Sequence, residues 1–175
     1  MKENFDKCLE MLLKHEGGFV NDSRDNGGMT NLGVTIAVWE AWVGHPVSEK
    51  EMRSLTPLMV SELYRRKYWD ACRANELVSG LDYCVFDVAV NSGVGRAVKL
   101  LQQTVGATPD GGFGSITMAL VRKAETDPVS LIERFSARRL EFLESLKSFP
   151  VFGKGWSRRV AEVKQSALEM VNAGL

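Results

Sequence analysis

The sequence contains no apolar run near the roughly 18 residues that a membrane span needs. Its first residues, Met1 to Asp6, lack the apolar stretch of an export signal. The expectation is a chain made and folded in the cytoplasm without a signal peptide, and not inserted into a membrane. Excess charge is missing as well. Lys plus Arg number 22 and Asp plus Glu number 22, so no surplus of basic charge points to nucleic acid or an anionic bilayer. Cysteine is scarce: Cys8, Cys72 and Cys84 are odd in number and lack zinc spacing. Cys8 and Cys84 fall inside apolar patterns, so free buried thiols in a reducing compartment are expected. His15 and His45 show no partner pattern for metal or triad chemistry, and no internal repeat or low-complexity tract is present. What remains is 175 residues, 45% hydrophobic and 25% charged, enough for a soluble domain with a real core. A monomer without cofactor or metal is the expectation.

Helix signals fill most of the chain. Phe5, Cys8, Leu9, Leu12 and Leu13 follow the i, i+3, i+4, i+7, i+8 rhythm of one apolar stripe. Thr35 can cap a short helix carrying Ile36, Trp39, Trp42 and Val43. Ser48 with Glu51 is a capping-box pattern, and Thr56-Pro57 starts a helix that runs to about Asp70. "LDYCVFDVAVN", residues 81–91, is apolar on most sides and predicts a central buried helix. "RAVKLLQQTVG" is another helix, ended by the turn cluster "TPDGGFGS". Inside it, "DGGFG" lacks the preceding strand and the Gly-Lys-Ser/Thr ending of a phosphate loop, so it reads as a turn before a helix at Ser115. Asp127-Pro128 opens a long helix, "FPVFGKGW" reads as a loop, and Trp156, Val160, Val163, Ala167 and Met170 form a last stripe. The fold class is predominantly all-α, with at most a small hairpin in the irregular stretch from Gly17 to Thr35.

That stretch opens with a carboxylate. Glu16 falls four after Leu12 and three after Leu13, so the stripe carries it toward the core side. Gly17 or Gly18 can supply the left-handed residue that ends the helix, which would put Glu16 at the negative end of the helix dipole. Desolvation and dipole both favour the protonated form, the state a general acid needs. A partly exposed Glu at a frayed helix end fits the local pattern equally well. Asp25, nine residues on, lies in a polar loop where water and backbone donors can keep it ionised. Two carboxylates in opposed environments match the division of labour in glycoside hydrolysis. Thr30 follows with a hydroxyl able to position water. Taken singly, Asn21, Asp22, Asp25 and Asn26 are also ordinary turn formers. The oxygen-rich "NDSRDNGG" lacks the spacing and terminal Glu of a calcium loop.

"HEGGFVNDSRDNGGMTNLGVT" resembles the signature of the glycoside hydrolase family 108 N-acetylmuramidases: an E-G-G start, a D-x-G-G-x-T segment, then G-[IV]-T. The resemblance continues through "YRRKYWD" and "LDYCVFDVAVNSGVGRA". "LQQTVGATPDGGFGSIT" and "FGKGWSRRV" resemble the peptidoglycan-binding segment that follows the catalytic part in this family. It implies a lysozyme-like helical fold, a catalytic part over residues 1–93 and a wall-binding part over 94–175, packed as one compact unit. It also implies Glu16 as catalytic acid, and cleavage of the β-1,4 bond between N-acetylmuramic acid and N-acetylglucosamine. The partners implied are peptidoglycan glycan strands, met in the periplasm after holin-type or specialised export. The Glu-x8-Asp-x4-Thr spacing is one residue shorter before Thr30 than the Glu-x8-Asp-x5-Thr arrangement of phage lysozymes.

Further candidates come from the residues themselves. Tyr68 and Trp69 offer faces for stacking sugar rings, and a core role suits either equally. The amide of Asn91 can reach an N-acetyl group or hydroxyl, or simply end a helix. Asp87 is expected to bond a structural partner such as Arg96. A lytic transglycosylase and a non-catalytic peptidoglycan-binding protein are the rival functions.

Overall fold

The computed structural model describes residues 4–21 and 28–174. The chain folds as two compact units, one spanning Asp6–Lys67 and the other combining Met1–Phe5 with Tyr68–Leu175. Among the described residues the fold is predominantly α-helical, with one two-stranded sheet, as the apolar periodicity predicts.

In the first unit, α1 (Asn4–His15) buries its expected stripe, with Cys8 and Leu12 fully enclosed and Leu9 and Leu13 nearly so. Its end departs from expectation. Neither Gly17 nor Gly18 adopts a left-handed conformation, and the chain instead leaves α1 toward Val20, which exchanges two backbone hydrogen bonds with Thr30. Strands β1 (Thr30–Asn31) and β2 (Val34–Thr35) then form the small antiparallel hairpin. Thr35 caps α2 (Ile36–Val43) by accepting a bond from the Val38 N–H, and left-handed Gly44 closes that helix. Ser48 and Glu51 make the reciprocal capping box of α3 (Glu49–Arg53). Thr56 caps α4 (Pro57–Tyr64), which continues as a wide π-helical turn over Arg65–Trp69.

The second unit is arranged around α5 (Leu81–Ser92). Every residue from Leu81 to Ala89 is buried, the pattern of a helix apolar on most sides. It packs against α6 (Val94–Val105), α8 (Pro128–Glu144) and α9 (Phe149–Asn172), while α7 (Ser115–Ala124) packs on α6. Gly80 lets the start of α5 meet α9: its φ is 87°, and a Cβ there would overlap the Ala167 carbonyl oxygen. The turn before α7 is organised from within by Gln102, whose amide donates to Asp110, the Gly112 carbonyl and Thr117 while accepting from Gly111 N–H.

Two expectations are corrected here. "FPVFGKGW" is not a loop but the opening turns of α9, with Pro150 tolerated in the first turn. Phe149 lays its ring against Gly153, where a side chain would collide, so the glycine serves packing rather than a turn. Asp87 does not meet Arg96, whose guanidinium lies 4.3 Å from the Phe142 ring centre. Fully buried Asp87 is instead bonded by Arg139 at 2.6 Å and Arg159 at 2.9 Å. No helix among the described residues is long and apolar enough to cross a membrane.

Two buried carboxylates of α5 give opposite pH dependences. For Asp87, burial works to raise the carboxyl's pKa, but the Arg139 and Arg159 guanidinium groups outweigh it and hold it below the usual range. Its contribution is complete at neutral pH and is lost as pH falls below the unfolded value of about 3.9. Asp87→Asn should cost about 3–5 kcal/mol in urea unfolding at pH 7, because buried Arg139 and half-buried Arg159 lose their counter-charge. For Asp82, burial pushes the carboxyl up to about 6, against the lowering effect of bonds from Asn4, Tyr83 N–H and Gly80 N–H. The folded chain then holds a proton the unfolded chain has released. Stability due to Asp82 should therefore fall as pH rises from about 4 to about 6, and Asp82→Asn should flatten that part of the curve.

Candidate active site

The short hairpin is built on a turn that its sequence does not favour. Asn31, Leu32, Gly33 and Val34 form a two-residue connection in which Leu32 (φ 49°) and Gly33 (φ 75°) are both left-handed. Consecutive left-handed residues are what a tight hairpin turn requires, and Asn-Gly is the pair that adopts them readily. Gly33 fits. Leu32 does not: a side chain in this region costs on the order of 1 kcal/mol.

Three contacts hold the turn. The Asn31 side-chain amide, nearly buried, donates to the Met52 carbonyl of α3 at 2.7 Å. The Tyr64 hydroxyl, brought from the end of α4 with only 1% of the residue exposed, donates to the Leu32 carbonyl at 2.8 Å. The Leu32 side chain itself joins Leu9, Leu13, Pro57 and Leu58 around an apolar groove of about 460 Å³.

Glu16 sits against this turn. It is half-buried, immediately beyond α1 rather than within its last turn. A Cβ added to Gly33 would lie 2.6 Å from the Tyr64 hydroxyl oxygen and 2.9 Å from Oε2 of Glu16. The carboxylate and the phenol therefore converge on one face of the same glycine. Around Gly17 and Gly18, by contrast, a side chain would meet nothing within 4 Å. The half-buried Glu16 carboxylate thus lies against a turn and a phenol and is followed by two uncrowded glycines.

Asp25 lies outside the described residues. Thr30 is in β1 and half-buried, its backbone tied to Val20 and its position paired with Thr35 across the hairpin. It thus shares a unit with Glu16. Tyr68, Trp69 and Asn91 belong to the other unit. Tyr68 is half-buried in the π-helical turn, and Asn91 is exposed near the end of α5. Trp69 is fully enclosed: its ring meets Phe5 and Phe86 edge-on at 5.4 and 5.2 Å, and its indole N–H donates to Asn75. It offers no open face to a sugar, so of the two roles the sequence allowed it fills the core. Sequence reasoning assigns no site role to Asn31, Leu32, Gly33 or Tyr64, although Gly33 opens the G-[IV]-T segment and Tyr64 opens "YRRKYWD". The segment "TNLGVT" carries a faint hairpin signal in its Gly, masked by the Leu before it. Nothing local links Tyr64 to a turn 32 residues earlier. Among the described residues no group of three or more His, Cys, Asp or Glu is placed to hold a metal ion.

Comparison with known proteins places these observations in a family. A family model described as glycosyl hydrolase 108 matches residues 9–93, the span that contains Glu16, the hairpin and α5. The solved structure of SagA from Brucella abortus is 39% identical, superposes with a TM-score of 0.83, and is matched over 97% of each chain. No curated protein sequence matches at a significant level.

Because the Asn31 amide ties the hairpin to α3, Asn31→Ala should destabilise the fold by about 1–3 kcal/mol in chemical denaturation. Asn31→Asp, which removes the donor but keeps the shape, should cost at least as much.

Proposed function

The chain belongs to the glycosyl hydrolase 108 family and is a peptidoglycan hydrolase, and on that premise we propose that it cleaves the β-1,4 bond between N-acetylmuramic acid and N-acetylglucosamine with Glu16 as general acid. The observation that carries the assignment is the convergence of the Glu16 carboxylate and the Tyr64 phenol on Gly33. Glycoside cleavage begins with proton donation to the leaving oxygen, and a carboxyl group held at a fixed position lowers that barrier most. Asp25 stabilises the positive charge that develops on the sugar ring, or activates water, and Thr30 positions that water. Tyr68 and Asn91 contact the glycan, while residues 94–175 hold the strand to the wall. The enzyme reaches peptidoglycan in the periplasm by a holin-type or specialised export route.

Water is the acceptor in this reading. In a lytic transglycosylase the muramyl 6-hydroxyl takes that place, and mass spectrometry of digested sacculi separates the two. Reducing ends carrying one added water are the expected product, and 1,6-anhydro ends would replace hydrolysis with the second route.

Glu16→Gln should keep the fold and lower turnover by a factor of about 10² to 10⁴, the usual contribution of a general acid. Near-parental lysis by the folded variant would remove Glu16 from the role. Asp25→Asn should impair turnover while sacculus binding persists. Lost binding with normal turnover per bound enzyme would assign Asp25 to recognition instead.

A further inference from the structure

We propose that Tyr64 is a positioning residue for the general acid: its hydroxyl holds the Leu32–Gly33 turn in a strained left-handed form, and that turn fixes the Glu16 carboxylate. The proposal rests on the assignment of Glu16 made above and adds the device that places it.

The chain of contact is short. From the end of α4 the buried Tyr64 ring brings a single hydroxyl, which donates to the Leu32 carbonyl at 2.8 Å. Leu32 is one of only two described non-glycine residues with positive φ, the other being Arg73. An unfavourable backbone conformation persists only where the surroundings over-determine it, and such positions gather at functional sites. Here the surroundings are the Tyr64 hydroxyl on the carbonyl side and the apolar groove on the side-chain side. The next residue, Gly33, has its Cα face filled by the phenol oxygen and by Oε2 and Cγ of Glu16. A Cβ there would push the phenol and the carboxylate aside, so a glycine is favoured on two counts, its φ of 75° and this crowding. If the turn relaxes, the surface against which Glu16 rests moves with it. General-acid catalysis is sensitive to small displacements, since a shift of about 1 Å at the reacting group can cost about a hundredfold in rate.

A purely structural Tyr64 would affect how much enzyme is folded. A positioning Tyr64 affects the turnover of enzyme that is fully folded. The test uses the full chain, a soluble peptidoglycan glycan as substrate, and a temperature at which circular dichroism shows every variant folded. Tyr64→Phe should lower kcat by about tenfold with KM within about twofold, because the loss is in placement of the acid rather than in sugar binding. The second arm relieves the strain instead. In the Tyr64→Phe background, Leu32→Asn supplies the residue pair that favours this turn without help, and should restore kcat by at least about threefold. Gly33→Ala should lower kcat at least as much as Tyr64→Phe. A folded Tyr64→Phe variant with parental kcat would overturn the proposal, as would a loss that Leu32→Asn leaves untouched. Glu16→Gln, assayed in parallel, separates the two levels. If it is folded and active, the acid assignment fails. If it is inactive while Tyr64→Phe and Gly33→Ala turn over normally, the acid stands and the positioning device fails.

Discussion

A carboxylate enclosed away from water must be met by positive charge or not be charged at all, and Asp87 is met by two guanidinium groups. That constraint orders the larger unit. Arg139 comes from α8 and Arg159 from α9, so the charge on α5 binds two of the three helices packed against it. Buried ion pairs of this kind add little net stability over apolar packing, but a wrong arrangement of the three helices would strand a charge, which is costly. Asp87 thus acts as a check on assembly. The close approach of Gly80 to Ala167 and the edge-on packing of Trp69 on Phe5 and Phe86 belong to the same unit.

The smaller unit meets a different demand. Around a core that encloses Cys8, Leu12, Met52, Val60 and Leu63, it sets the half-buried Glu16 carboxylate against a tight turn. It does so with a hairpin of four strand residues, pinned at Asn31 to α3 and at Leu32 to α4. Each pin is one hydrogen bond from a buried side chain, the kind whose loss leaves a polar group unsatisfied. The backbone strain at Leu32 is sustained by those bonds and by the groove around its side chain. Strain, a buried phenol and a half-buried acid in one turn are hard to account for by stability alone. They have the character of a site whose geometry is kept at some expense to the fold.

What the sequence by itself determined was local. Apolar periodicity placed α1 and the stripe of α9, the all-round apolar run marked α5 as central, and Thr35, Ser48, Thr56 and Asp127 each cap the helix that follows, as residue type and spacing predicted. The E-G-G start and its neighbours were enough to identify the family. All of these signals are read within one or two helical turns. The tertiary structure decided the rest. It chose Arg139 and Arg159 over Arg96 for Asp87, closed Trp69 into the core, made "FPVFGKGW" helical, and ended α1 without a glycine cap. It also set Tyr64 and Gly33 beside Glu16. In each case the deciding contact joins residues far apart in the chain or depends on space left by packing. A guanidinium 72 residues away is invisible to periodicity, and a leucine in a left-handed turn contradicts its own preference until a distant hydroxyl makes that conformation the stable one.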